Sequence, residues 1–351
     1  MATQKILLSL VIQLCGTVAL AQDSTKNGKL TLSGSVDGYY RYNFHNAKDS
    51  GHTNNLTSFT NSQNSFELGM ASLKADYTNG KVEAVADLGF GRRAEEFSYN
   101  DKGTMTAIKQ AFVSYNPSSK VKFTMGKWFT HVGYEMPDAY LNHNYSMAYL
   151  FSYGPFFHTG IKMEVNATNN IGFMIGVANP TDYSTASFAA KNFIAQLHLA
   201  DNKSKLSAYV NYIGGKDMNG ATVNQFDLTA TGIISGKFNI GYNGSVKTVK
   251  PKNRSSSNWA GTALYLNYDP SSIVGLTARG EYFSDKKGVA GFGTNVYEFT
   301  LSGNIHLDNL TIIPELRTDG AGTPLFYKNT DQIVSTAKST GTFILAGVLH
   351  F

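Results

Sequence analysis

The chain has 351 residues, of which 16% are charged and 13% aromatic, and its formal net charge is +5. Ordinary soluble domains carry about 25% charged residues, so low charge together with 34 glycines argues against a helical soluble enzyme. The basic residues are scattered and form no long Lys/Arg run, which argues against nucleic acid as a partner. The composition favours a sheet protein with one apolar surface.

The first 21 residues have the pattern of a cleaved signal peptide. A single Lys5 precedes an apolar run that ends in Ala19-Leu20-Ala21, a small-x-small cleavage site. The sequence therefore predicts export, with residues 22–28 as a short periplasmic segment. Cys15 is the only cysteine and leaves with the peptide, so the mature protein would have no disulfide, no cysteine metal site and no cysteine nucleophile.

Beyond residue 28, period-two alternation recurs to the end of the chain, as expected for β-strands. In VEAVADLGF, for example, Val82, Ala84 and Leu88 share one face while Glu83 and Asp87 share the other. No stretch after residue 22 approaches the 18 or so consecutive apolar residues of a spanning helix. The predicted strands are 29–44, 65–77, 81–91, 105–115, 120–128, 158–165, 171–179, 191–199, 204–214, 223–233, 237–248, 258–268, 274–284, 295–307, 310–318 and 340–351.

The connections between these segments alternate between short and long. The short ones consist of turn-forming Gly, Asn, Asp and Pro, and the long ones are polar or aromatic. Even strand number, short periplasmic turns and long external loops are typical of outer-membrane barrels. We therefore predict an all-β fold: one transmembrane antiparallel β-barrel over residues 29–351, with about 16 strands (14–18 as the range). Irregular alternation near Ala71 predicts a bulge in the second strand.

The chain ends on GTFILAGVLHF, which is apolar on both faces. In a closed barrel this segment is the last strand and pairs with the first, because an open edge in lipid would leave backbone groups without hydrogen bonds. The terminal Phe351 resembles the C-terminal aromatic that the barrel assembly machinery reads, so we predict it to be an assembly signal. The alternative is a buried terminal strand of a soluble domain.

The most distinctive stretch of the sequence is GKWFTHVGYEMPDAYLNHNYSMAYLFSYGPFFHTGIKM, residues 126–163. It resembles one family, the OmpL-like β-barrel porins of Bacteroidota. The resemblance implies a porin-like barrel in the outer membrane and suggests no catalytic residues. Shorter stretches that resemble the family in the same order are VEAVADLGFG (82–91), IKQAFVSYNP (108–117), ALYLNY (263–268), LTARGEYFSD (276–285) and IIPELRTDG (312–320).

Charged residues fall on the polar face of the predicted strands. A charge facing lipid at the membrane midplane would cost about 2–4 kcal/mol, so these side chains are expected to point into the lumen. They could form a mixed-sign lining that sets ion preference, or pair with one another and stabilise the wall. The pore-lining candidates are Asp37, Arg41, Glu83, Asp87, Lys109, Lys122, Lys162, Arg279, Glu281, Glu298, Glu315 and Arg317.

Residues 129–157 form the longest predicted connection and are rich in Tyr, Phe and His. In porins of this size one long loop commonly folds into the lumen, so one hypothesis is that this loop forms the constriction. The other is an external loop packed on its own aromatic side chains. The constriction candidates are Tyr134, Glu135, Asp138, Asn142, His143 and Tyr145.

The function predicted from the sequence is an outer-membrane porin that lets ions and small hydrophilic solutes diffuse passively, without a cofactor. Its expected partners are the lipid bilayer, the barrel assembly machinery and the solutes. Because large porins often form trimers, a homotrimer is an open alternative to a monomer. A surface receptor or adhesin with a plugged lumen is the alternative function. An outer-membrane hydrolase is less favoured, because neither G-x-S-x-G nor H-E-x-x-H occurs.

Overall fold

The computed structural model describes residues 28–47, 52–203, 205–330 and 333–351. Within them, sixteen strands form a closed antiparallel barrel in which each strand pairs with its neighbours in sequence and the first pairs with the last. This confirms the predicted fold class. The predicted signal peptide lies outside the described residues. The strands are β1 Gly28–Asn43, β2 Ser65–Asn79, β3 Val82–Phe90, β4 Ile108–Ser118, β5 Val121–Phe129, β6 Phe157–Asn166, β7 Ile171–Ala178, β8 Asn192–Ala200, β9 Leu206–Lys216, β10 Thr222–Ser235, β11 Phe238–Lys250, β12 Ser257–Tyr268, β13 Val274–Ser284, β14 Asn295–Leu307, β15 Leu310–Ala321 and β16 Ser339–His350.

The predicted segments correspond one to one with these strands, and β4 shows one of the larger offsets, at 108–118 instead of 105–115. The alternation decides which side chains face outward. Val113 is 57% exposed on the outer surface, whereas the next residue, Ser114, is buried in the interior. Leu301 and Ser302 repeat the pattern on the opposite wall. The apolar outer face suits lipid, and closure satisfies every strand edge.

A bulge interrupts the pairing of β1 with β2. Asp37 pairs with Met70 and Gly38 with Leu68, which leaves Gly69 as the extra residue on β2. A β-carbon at Gly69 would lie 1.8 Å from Oδ2 of Asp37, so only glycine lets the carboxylate approach this strand. The bulge therefore lies two residues from Ala71, where the alternation became irregular.

The barrel closes where β16 meets β1, from the pair Ser35–His350 to the pair Asn43–Thr342. Beyond the paired residues, Gly34 and Phe351 exchange two backbone hydrogen bonds of 3.0 Å each. The Phe351 ring lies over Gly34, where an added β-carbon would be 2.7 Å from the ring. The last residue of the chain thus completes the seam.

The long connections carry the other regular structure. Helix α1 (Arg92–Phe97) and a 3₁₀ turn (Gly103–Ala107) follow β3, and a second 3₁₀ turn (Ala139–Leu141) and helix α2 (Tyr149–Tyr153) lie between β5 and β6. No helix in the described ranges is long and apolar enough to cross a membrane. The connections after β9 and β11 are shorter than predicted, because both strands extend further toward the loops.

Candidate functional site: the barrel interior

Residues 130–156, which connect β5 to β6, are called the inward loop here because carboxylates of the barrel wall bind its backbone. Glu315 on β15 accepts hydrogen bonds from the N–H groups of Tyr145 (2.8 Å) and Ser146 (3.1 Å). Glu281 on β13 accepts from the N–H groups of Tyr149 (2.6 Å) and Leu150 (2.7 Å). These N–H groups include the first of α2, which have no partner within the helix. The adjacent wall thus caps the N-terminus of α2.

Two arginines of the same wall bind the carbonyl groups of the loop. Arg279 donates through Nη1 to the Ser146 carbonyl at 2.7 Å, and Arg317 donates through Nη1 to the Met147 carbonyl at 2.7 Å. Arg279 also forms ion pairs of 2.6 Å with Glu135 of the loop and with Glu298 of β14. Because a guanidinium offers five donors in a fixed plane, Arg279 joins strand, loop and neighbouring strand at once.

The preceding part of the inward loop, residues 137–145, is held by β1, β4 and α1. The Tyr145 hydroxyl donates to Oδ2 of Asp37 at 2.6 Å. Arg93 of α1, which is fully buried, donates to the Pro137 carbonyl at 3.1 Å. Lys109 reaches Asp138 of the loop at 2.5 Å and Asp87 of β3 at 3.1 Å. Contacts from several sides hold the loop in one position within the barrel.

Burial controls the protonation of the loop side chains. Desolvation raises the pKa of the Tyr145 and Tyr149 hydroxyl groups, so both stay protonated as donors, Tyr149 to Oδ1 of Asp319 at 2.7 Å. Desolvation lowers the pKa of His131 to about 4, so this imidazole is neutral at pH 7. The loop therefore adds hydrogen-bond donors without adding charge at these positions.

The structure brings together most of the predicted pore-lining charges. Nine of them are buried: Asp37, Arg41, Asp87, Lys109, Arg279, Glu281, Glu298, Glu315 and Arg317. Arg41 binds the carbonyl groups of Thr53 and Ser62 in the loop after β1, so that it too holds a loop. The remaining three are partly buried: Glu83 pairs with Lys122 near the short turns, and Lys162 pairs with Glu164 at 3.1 Å.

The constriction candidates do not share one environment. Glu135, Asp138 and Tyr145 are buried. Tyr134 is partly buried and stacks on Tyr265 of β12, with ring centroids 4.2 Å apart. Asn142 binds its own loop, donating to the Met136 carbonyl at 2.6 Å. His143 is exposed, near the short-turn end of the barrel, where its carbonyl accepts from Asn304.

Sequence reasoning missed the most enclosed part of the loop, from Ser146 to Leu150. It also missed Asp227 on β10, which accepts from Asn211 (2.8 Å), Asn243 (2.7 Å) and the Gly133 N–H (3.1 Å). Period-two counting along β10 could have found this acid, as it placed Asp319 on the polar face of β15 with Glu315 and Arg317. Nothing in the sequence marks residues 146–150, because the wall residues that bind them lie more than 130 residues away.

Open space lies on the opposite side of the inward loop. A cavity of about 750 Å³, called the vestibule here, opens at the long-loop end between the last turn of α2 and β8–β12. A second cavity of about 270 Å³ lies deeper, between His131, Tyr134 and the wall formed by β8–β10. Residues 145–150 of the loop thus pack against β13–β15 and β1, while residues 131–135 reach β8–β10 and β12. Both cavities lie beside β8–β12.

A closed sixteen-strand barrel with an apolar outer face, a polar interior and an inward loop is the architecture of an outer-membrane porin-like channel. The family model described as "Putative beta-barrel porin-2, OmpL-like" matches residues 29–351, so the chain belongs to that family. The family places the protein in the bacterial outer membrane. No curated protein matches the chain.

Solved structures share the fold. The anion-selective porin from Comamonas acidovorans is similar with a TM-score of 0.63, at 12% identity over 93% of this chain and 100% of that one. The outer membrane channel DcaP of Acinetobacter baumannii gives 0.62, at 11% identity over 93% and 99%. The trimer form of OmpT from Vibrio cholerae gives 0.61, at 12% identity over 93% and 100%. At these identities the similarity shows the fold alone.

Proposed function

We propose that the barrel is a channel for passive diffusion of ions and small hydrophilic solutes, with the inward loop as its constriction. The observation that carries this proposal is the asymmetry of the interior. Residues 145–150 of the loop are bonded to β13–β15 and β1, whereas residues 131–135 also reach β8–β10 and β12. The vestibule and the deeper cavity nevertheless both lie beside β8–β12. The solute path would then run beside β8–β12. Of the nine buried charges, Arg41 would hold the loop after β1, and the other eight would hold the inward loop, directly or through an ion-pair partner, instead of lining the path.

Two polar features support this path. Asp227 and its two asparagine partners lie on β9–β11, within the part of the wall, β8–β12, beside which both cavities lie. Gln196 and Thr229 line the deeper cavity. Side chains of this kind replace part of the hydration shell of a passing solute, which an apolar wall would not do.

Single-channel conductance of the refolded protein in a planar bilayer tests the proposal. Stable current steps under an applied voltage are expected, and a salt gradient then gives the ion preference through the reversal potential. A barrel that is shown to be folded but gives no steps would refute the open channel. The absence of steps would favour a second candidate function, a receptor with a plugged lumen. The complete burial of Tyr145 and Tyr149 also supports this second function.

Further parts of the sequence prediction are proposals as well. We infer that residues 1–21 are removed on export, which mass spectrometry of the mature protein would test. We also infer that Phe351 directs assembly by the barrel assembly machinery, supported by its place at the β1–β16 seam. We also infer a homotrimer from the size of the barrel, which native mass spectrometry would test. The inferred origin in Bacteroidota rests on the family resemblance.

A further inference from the structure

Two acids line the vestibule, Asp182 and Asp217, and both already accept hydrogen bonds from the protein. Asp182 accepts through Oδ1 from the N–H groups of Phe156 (2.7 Å) and Phe157 (2.9 Å), and through Oδ2 from the Tyr99 hydroxyl (3.0 Å). Asp217 accepts through Oδ1 from two N–H groups of its own loop, at 2.9 and 2.8 Å. These carboxylates hold the rim together, so much of their capacity to bind a passing cation is already used.

The cations of the vestibule differ from the acids in this respect. Lys247 projects inward from β11 and is partly buried, while Arg254 and Lys287 lie on the loops that follow β11 and β13. Within the described ranges of the chain, none of the three side chains forms an ion pair or a hydrogen bond. Asp182 and Asp217 attract Lys247 electrostatically without reaching ion-pair distance. Three positive side chains therefore face one cavity without an ion-pair partner among the described residues.

The wall of the same cavity also offers apolar surface. Tyr153 of α2 is partly exposed to it, and Trp259 of β12, which is only 1% exposed, lies at its wall. Both rings pack on Phe283, with centroids 5.6 and 5.0 Å away. An ammonium group is a compact point charge, and aromatic side chains bury large apolar area. The combination fits a ligand with one anionic group and a small apolar body.

We propose that the vestibule is a binding subsite for small organic carboxylates, with Lys247 as the main charge partner and Arg254 and Lys287 as attracting charges at the rim. Such a subsite would raise the local concentration of anions at the entrance of the channel. This consequence for transport rests on the proposed channel function. Binding itself needs only the folded barrel.

Benzoate, added on the long-loop side of a bilayer containing the channel, is the probe. We expect resolved current blocks, and we expect Lys247→Gln to shorten their residence time about tenfold, as loss of one close charge pair weakens binding by about that factor. Lys247→Arg should retain the blocks. Lys237→Gln is the matched control, since Lys237 is exposed at the opposite end of β11 and its replacement should change nothing. Equal blocks by neutral benzyl alcohol, or blocks unchanged in Lys247→Gln, would overturn the proposal.

Fluorescence separates this inference from the channel function. Trp128 and Trp259 are the only tryptophans, and Trp259 lines the vestibule, so benzoate should change the emission of the folded protein in detergent but not that of Trp259→Phe. Lys247→Gln should weaken the apparent affinity about tenfold. A barrel that binds benzoate without conducting would keep the subsite and refute the channel. A conducting barrel with no benzoate response would refute the subsite alone.

Discussion

Replacing Glu281 by Ala tests whether the wall holds the inward loop in place. Its carboxylate is buried and accepts two short hydrogen bonds, from the N–H groups of Tyr149 and Leu150. Hydrogen bonds to charged groups contribute about 1.5–3 kcal/mol each. Because lumen water would solvate part of the freed backbone, we expect a loss of about 3 kcal/mol in docking free energy, or a factor on the order of 100 in the docking equilibrium.

Two assays report on this change. The inward loop contains no Lys or Arg but several Tyr, Phe and Leu residues, so chymotrypsin should cleave the Glu281→Ala variant within the loop much faster than the original chain. Single-channel recordings should show frequent transitions to a larger conductance, because an undocked loop no longer narrows the lumen.

Glu83→Ala is the matched control for this variant. Glu83 is also an interior glutamate, but its carboxylate binds the side chains of Asn116 and Lys122 near the short turns and does not touch the loop. It should leave cleavage and current noise unchanged. If Glu281→Ala behaved like Glu83→Ala in both assays, the idea that strand carboxylates clamp the loop would be wrong.

Three further changes test other parts of the structure. Gly34→Leu should slow closure of the barrel, because the leucine side chain would collide with the Phe351 ring. The measurement is the shift in heat-modifiable gel mobility, which should be delayed. An unchanged folding rate would contradict this account of the seam. Arg279→Lys should lower the thermal unfolding temperature, since one ammonium group cannot keep the bonds to Glu298, Glu135 and the Ser146 carbonyl. A fully retained unfolding temperature would show that one positive charge suffices. Burial raises the pKa of Asp182 from 3.8 to about 6, so the folded state binds this proton more tightly, and stability falls as pH rises from about 4 to about 6. Asp182→Asn should remove up to ~3 kcal/mol of that dependence in urea unfolding at pH 4 and pH 7, and parallel pH curves for the two proteins would refute it.

The sequence was sufficient to predict the strands because strand signals are local. An apolar side chain at every second position, with Gly, Asn, Asp or Pro at each turn, marks a strand whatever lies elsewhere in the chain. Even the bulge at Gly69 left a local trace in the irregular alternation near Ala71. The polar face of each strand likewise predicted which charges would lie inside.

The last strand shows where local reasoning ends. Both faces of GTFILAGVLHF are apolar, so the pattern could not say which face meets lipid. In the structure Ile344, Ala346 and Val348 are buried inside the barrel with Tyr39 and Tyr145. A residue of the inward loop therefore explains an apolar patch within a polar lumen.

What the sequence determined by itself is the number, order and orientation of the strands, since each depends on neighbours along the chain. Only the tertiary structure decided where the inward loop lies and what the interior charges do. Glu281 and Glu315 bind backbone groups more than 130 residues away, and no periodicity records such a pair. The vestibule lies beside β8–β12, where Lys247 remains without an ion-pair partner among the described residues. Long-range contacts, which form only when the barrel closes, thus separate the charges that hold the loop from those that face the vestibule.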